Sequence, residues 1–285
     1  MGRSFQFKFF AIGIAYCIVW GILYLILALN GWQGENCGCN PINPCFCEQI
    51  VMDALIREKS QTWSNLALVF SGLGILFWLD QNKNKSSPQN RQNPMTRPTL
   101  YPILYGFLTI NIGIGSLWFH GSLLRYAGFM DTFAMNMYII FILYYLFIRL
   151  TQKSEKIFLL LYIPTVLAVG VAEWLINNGW VSVWIFSTLA GIGIAIESIS
   201  LILMYKSKKH LKWITRDWKW FAAGVGSFFI SFLIWNLSLP DMVLCNPYTW
   251  IQGHSFWHVG VALSTFFLYL YVRSEKVDEK IEHFS

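Results

Sequence analysis

The stretch GHSFWHVGVALSTFFLYLY, residues 253–271, decides the fold. It carries no charged residue, and at about 1.5 Å per residue a helix of this length spans most of the roughly 30 Å hydrocarbon core of a bilayer. Yet it opens on His254 and His258, spaced i and i+4. On a helix those side chains share a face and stand about 5–6 Å apart, so both imidazoles can reach one metal ion. Two imidazoles at the mouth of a membrane helix must be satisfied away from lipid, by a hydrogen-bonded interfacial setting or by a cation.

Working outward, the rest of the chain is of the same kind. Its 285 residues are 55% hydrophobic, 18% aromatic and 13% charged, about half the charge content of a soluble domain. Apolar runs of membrane-spanning length fall at about 6–29, 61–80, 100–121, 129–150, 157–176, 181–205, 218–238 and 252–272. The expected fold class is therefore all-α, a polytopic membrane protein. The first run exceeds a signal-peptide core and has no small-residue cleavage site, so it is read as a helix.

Of the 21 Lys and Arg, all but Arg57, Lys59 and Arg125 fall at the N-terminus, at 81–99, 149–156 and 206–219, or in the C-terminal tail. The bias of cations toward cytoplasmic loops then puts both termini in the cytoplasm. The net charge of +6 reads as a topological device facing anionic lipid, with no nucleic-acid partner needed for KSKKHLKWITRDWK (206–219) and no obligate protein partner inferred. Cys37, Cys39, Cys45, Cys47 and Cys245 fall on the opposite, exoplasmic side, where disulfides persist. Disulfides are preferred there to a zinc knuckle in CGCNPINPCFCE (37–48), which lacks a histidine, and five cysteines leave one unpaired. Cys17 sits inside the first helix.

His210 and His283 lie in polar, basic surroundings. His120 does not: it ends a run rising from the cytoplasm, while His254 and His258 begin one descending from outside, so all three fall at one depth, near the exoplasmic leaflet. Three histidines complete the protein ligand set of a catalytic zinc site and leave one position open. Ser116 lies one turn before His120 in GSLWFHGS, and Asp131 opens the following run in GFMDTFAMN. Asp131 reads either as a carboxylate that orients a ligand or a water, or as a helix N-cap. Ser116 reads either as part of the site or as a small packing residue. Glu173 and Glu197, buried in apolar runs, are candidates by position alone; each is readable as a satisfied structural group, and neither is given a catalytic role.

The set Ser116, His120, Asp131, His254 and His258 resembles the intramembrane hydrolase superfamily that includes alkaline ceramidases and adiponectin receptors. The block CFCEQIVMDALIREKSQTWSNLALVFSGL (45–73) and QGHSFWHVGVAL (252–263) resemble motifs of the alkaline ceramidases in particular. The resemblance covers roughly residues 45–272. It implies a seven-helix membrane domain over 61–285, preceded by a Cys-rich exoplasmic segment at 31–60 and an extra N-terminal helix at 1–30. It implies zinc on His120, His254 and His258, with Asp131 and Ser116 beside the activated water and the scissile carbonyl. It also implies Trp257 in the substrate pocket and a disulfide between Cys47 and Cys245, leaving Cys37, Cys39 and Cys45 to share one further bridge. The family's calcium site keeps only Glu48 and Glu58 as matching carboxylates, because Cys45 and Ile50 stand where the family has oxygen ligands; Asp53 or Asn43 would have to contribute.

The activity implied is cleavage of ceramide, or a related N-acyl lipid, to a fatty acid and a sphingoid base. Two other readings have their own signatures. A receptor holding zinc structurally would keep the histidines without turnover, and a transporter would use Glu173 and Glu197 in symmetric halves, which the sequence does not have.

Overall fold

The computed structural model describes residues 7–82, 92–176, 179–206 and 214–277. His210, His283, most of the 206–219 run before Ile214 and the middle of the 81–99 linker lie outside the described residues. The helices are α1 (Lys8–Leu29), a short α2 (Lys59–Ser64), α3 (Leu66–Asn82), α4 (Leu100–Ser122), α5 (Arg125–Thr151), α6 (Glu155–Ile176), α7 (Gly179–Lys206), α8 (Trp218–Leu237) and α9 (Gly253–Arg273). Two-residue strands β1 (Ile214–Thr215) and β2 (Lys276–Val277) pair antiparallel. Counting α2 with α3, eight helical stretches among the described residues are long and apolar enough to cross a membrane, the number that hydropathy predicts.

Two boundaries differ from expectation, each for a local reason. The second span breaks at Asn65, where short polar side chains compete for backbone carbonyls: Thr62 Oγ1 donates to Glu58 O, and Ser64 Oγ and Asn65 Nδ2 both donate to Gln61 O. The fifth helix starts at Arg125 and not at 129. Its link to α4 is only Leu123 and Leu124, both buried, with no glycine, proline or polar cap to announce a turn.

Lipid gives no hydrophobic drive for helices to associate, so close backbone packing and interhelical hydrogen bonds hold the bundle. α4 sits at its centre, against α3 and α5. A Cβ added at Gly72 on α3 would lie 2.6 Å from the Gly106 carbonyl oxygen of α4, so only glycine permits this crossing. Halfway along, the Tyr105 hydroxyl bonds to Tyr138 Oη and to Thr265 O, each at 2.5 Å, which ties α4, α5 and α9 together. α1 lies on the outside with Ile18 and Leu25 exposed. It is fastened at its positive N-terminal end by Asp80 Oδ2, which accepts from Phe10 N at 2.9 Å, and mid-helix by Tyr16 Oη donating to Asn111 Oδ1 at 2.6 Å.

Candidate metal centre

The last turn of α4 leaves carbonyls that the helix itself cannot satisfy. The chain just before α2 supplies the donors: Glu58 N to His120 O at 3.2 Å, Arg57 N to Gly121 O at 3.1 Å, and the Arg57 guanidinium to Ser122 O. Leu123 closes the end in the left-handed region, φ 49°, with its N–H on Phe119 O. This docking fixes where the Glu58 side chain goes. Its Oε2 lies 2.6 Å from His120 Nδ1, and both residues are fully buried. Burial raises the Glu58 carboxyl well above the usual carboxylate range.

α9 brings the other two imidazoles. His258 Nδ1 lies 2.7 Å from Ser64 Oγ, whose single proton is already given to Gln61 O. The serine therefore accepts, the proton is on His258 Nδ1, and Nε2 is a bare lone pair. When ionised, the Glu58 carboxylate accepts from His120 Nδ1, and that tautomer turns Nε2 of His120 to the cluster as well. His120 Nε2 and His254 Nε2 stand 3.2 Å apart, and one nitrogen from each of the three rings falls within 4.8 Å of the others. His254 Nδ1 has no partner among the described residues. Three buried imidazoles that each turn one nitrogen toward the others supply the ligand chemistry of a metal centre. The donor set thus fits a divalent metal that accepts nitrogen ligands.

Ser116 and Asp131 stand beside this cluster. Ser116 Oγ is 3.4 Å from His258 Nε2, and the Asp131 carboxylate interacts with the Ser116 hydroxyl. Gly115 makes the approach possible, because a Cβ there would meet Met130 O at 2.7 Å and Asp131 Cα at 3.1 Å. Asp131 does not open its helix. Since α5 begins at Arg125 with Leu124 at the N-cap position, Asp131 lies in the second turn, where no orphan backbone N–H remains to be capped.

A cavity of about 790 Å³ adjoins the cluster, and Ser116, Asp131, His254, Trp257 and His258 line it together with Arg125 and Glu173. Most of its wall is apolar. Trp257 packs against Phe228, Phe232 and Trp235 with ring centroids 5.2, 5.8 and 5.2 Å away. An apolar extension of about 90 Å³ continues toward the opposite end of the bundle.

The remaining candidates sit around the rim. Cys47 is bonded to Cys245 and Cys39 to Cys45, while Cys37 is a free thiol with its sulfur 3.1 Å from Cys39 Sγ. Glu48 accepts from Ser60 N at 2.7 Å and Gln61 N at 2.9 Å, which caps the first turn of α2. Calcium requires six to eight oxygens. With Glu58 Oε2 on His120, only Glu58 Oε1 of these four carboxylate oxygens is unpartnered among the described residues. Sequence reasoning gave no role to Ser64, and none to Phe46, whose ring lies 4.9 Å from His120 and 4.3 Å from His254. Ser64 lies in the QTWSN part of the N-terminal block, but only the contact across 194 residues reveals its task.

A search of curated proteins returns no match. A family model described as Ceramidase matches residues 42–284, which takes in Glu48, Glu58, all three histidines, Ser116 and Asp131. Membership implies a hydrolase of amide bonds acting on a ceramide-type lipid. α1 lies ahead of the matched region, and everything that builds the cluster lies within it: this chain belongs to the ceramidase family.

Proposed function

We propose that the protein is a zinc-dependent intramembrane amidase that cleaves ceramide, or a close N-acyl sphingoid relative, to a fatty acid and a sphingoid base. One observation carries the reading: three buried imidazoles each bring one nitrogen within 4.8 Å of the others, and two of them, His254 and His258, line a largely apolar cavity. His120, His254 and His258 would hold the metal. Bound there, zinc supplies Lewis acidity, which polarises a carbonyl and brings the pKa of a water toward roughly 7.

The chain's own groups do the rest. Asp131 accepts a proton from the attacking water and returns it to the departing amine as the C–N bond breaks, while the water oxygen stays on the acyl carbon. Ser116 donates a hydrogen bond to the developing oxyanion. Glu58 and Ser64 keep His120 and His258 in the tautomers that expose Nε2. Trp257 and the apolar wall take the lipid chains and exclude water from the amide. Glu48 and Glu58 serve as helix cap and histidine partner, and no step involves calcium. The charge bias of the loops and the disulfides at the histidine end support a site near the exoplasmic leaflet, with both termini cytoplasmic.

The test is a panel of N-acyl sphingoid lipids and other acyl lipids given to purified protein in detergent, with and without a zinc chelator. Fatty-acid release from ceramide that stops with chelation and returns with zinc is expected. Bound zinc without turnover of any lipid would make this a structural metal in a receptor; turnover confined to other acyl lipids would reassign the substrate.

A further inference from the structure

Glu173, in the last turn of α6, lines the same cavity and is 4% exposed. α5 holds it from the side. Asn136 Nδ2 donates to Oε1, and Thr132 Oγ1, whose proton also has Gly128 O at 3.2 Å and Phe129 O at 3.4 Å within reach, lies 3.5 Å from Oε2. Thr132 and Asn136 stand at i and i+4, so they face α6 together, and Thr132 directly follows Asp131. Asn136 Oδ1 has no partner among the described residues, so the amide is turned by the carboxylate alone.

This arrangement is more than a strut between two helices. The donors to Glu173 are neutral, and a carboxylate has about four acceptor positions, of which they use at most two. A buried ionisable group at membrane depth is costly, and a glutamine would bridge α5 and α6 at less cost. The wall of the same cavity carries Phe129, Met135, Phe186 and Phe228, along with Arg125 and Asp131. A strong acceptor beside such apolar side chains suits a ligand that brings a neutral donor. Ceramide-type lipids carry one: the sphingoid base has hydroxyls within two or three bonds of the amide, while a plain acyl chain has none.

We propose that Glu173, oriented by Asn136 and Thr132, is a specificity residue that accepts a hydrogen bond from a hydroxyl of the sphingoid base. This rests on the cavity being the substrate site. It assigns the α5–α6 wall to the sphingoid side of the lipid, and leaves the acyl chain to the remaining apolar wall.

The experiment measures binding and turnover separately. Binding of ceramide, and of its analogues lacking the C1 or the C3 hydroxyl, is read from thermal stabilisation of the full chain in detergent. Wild type is expected to bind ceramide about 10- to 100-fold more tightly than one of the two analogues, the range of a hydrogen bond to a charged group. Glu173→Leu should bring that ratio close to one by weakening ceramide alone, and Glu173→Gln, which keeps one carbonyl acceptor, should fall between. Equal weakening of all three lipids in Glu173→Leu would mean a structural strut and overturn the proposal. Equal affinity of wild type for all three lipids would overturn it too, whether or not the Leu variant folds. Discrimination in binding by a zinc-loaded wild type that hydrolyses none of them would sink the amidase reading and leave the hydroxyl site standing.

Discussion

α9 has a buried polar cluster at each end, separated by its 21 residues, or about 30 Å of helical rise. At one end are His120, His254 and His258. At the other, Glu275 accepts from Arg149 at 2.5 and 2.8 Å and from Arg216 at 2.9 and 3.1 Å, and Arg216 also meets Glu197 at 2.6 Å. The β1–β2 ladder brings Arg216 beside Glu275, and Asn93 Nδ2 closes the end of α9 by donating to the carbonyls of Val272, Arg273 and Glu275. In the second cluster two guanidiniums face two carboxylates, so its charges cancel within the protein. In the first, three imidazoles converge with one carboxylate, Glu58, behind His120. The second satisfies its charges within the chain, whereas the first gathers nitrogens that a cation can share. An electrically closed cluster holds a fold, and an open one calls for something from outside.

The comparison breaks most sharply at the histidines. His258→Ala should remove the zinc found by elemental analysis and abolish hydrolysis, while the folded bundle survives; zinc remaining at one equivalent would refute the ligand set. At the closed end, Arg216→Met leaves Glu197 and part of Glu275 uncompensated and should cost about 3–5 kcal/mol. Thermal unfolding in detergent reads that loss, and the zinc content and kcat of the folded fraction should stay at wild-type levels. A fall in zinc content would mean that the two ends are coupled.

Asp131→Asn is the next step down. Turnover should drop about 10²-fold or more, as for loss of a general base, with the metal retained; near-normal hydrolysis by the zinc-loaded variant would remove Asp131 from the mechanism. The smallest effect is expected of Glu58→Gln. Removing the carboxylate behind His120 should weaken zinc about 10- to 100-fold in competition with a chelator, and unchanged affinity would show that Glu58 supports only the end of α4.

Hydropathy was enough to give the eight spans, because composition over some 20 residues reports lipid exposure directly. The three histidines were legible too, since two share a helix face and the third ends a run of opposite direction. What stayed hidden depends on distance along the chain. Glu58 reaches His120 across 62 residues, and sequence alone offered it only as a calcium candidate. Arg216 looked like one more cation in a basic loop until β1 carried it inward. Glu197 did find a hydroxyl donor, Tyr271, as its structural reading required, but its arginine was not foreseen. Asp131 was placed at a helix start because nothing in Leu123–Leu124 has the chemistry of a turn.

The division of the cluster between α4 and α9 also sets an order in time. A ribosome delivers His120 first, and His254 follows 134 residues later; Cys245, the partner of Cys47, arrives just ahead of it. Until α9 has been inserted, the translocating chain has one imidazole of the cluster and an unclosed loop, and the membrane receiving it meets no assembled hydrolase. Biosynthesis itself therefore withholds the activity until the bundle that contains it is built.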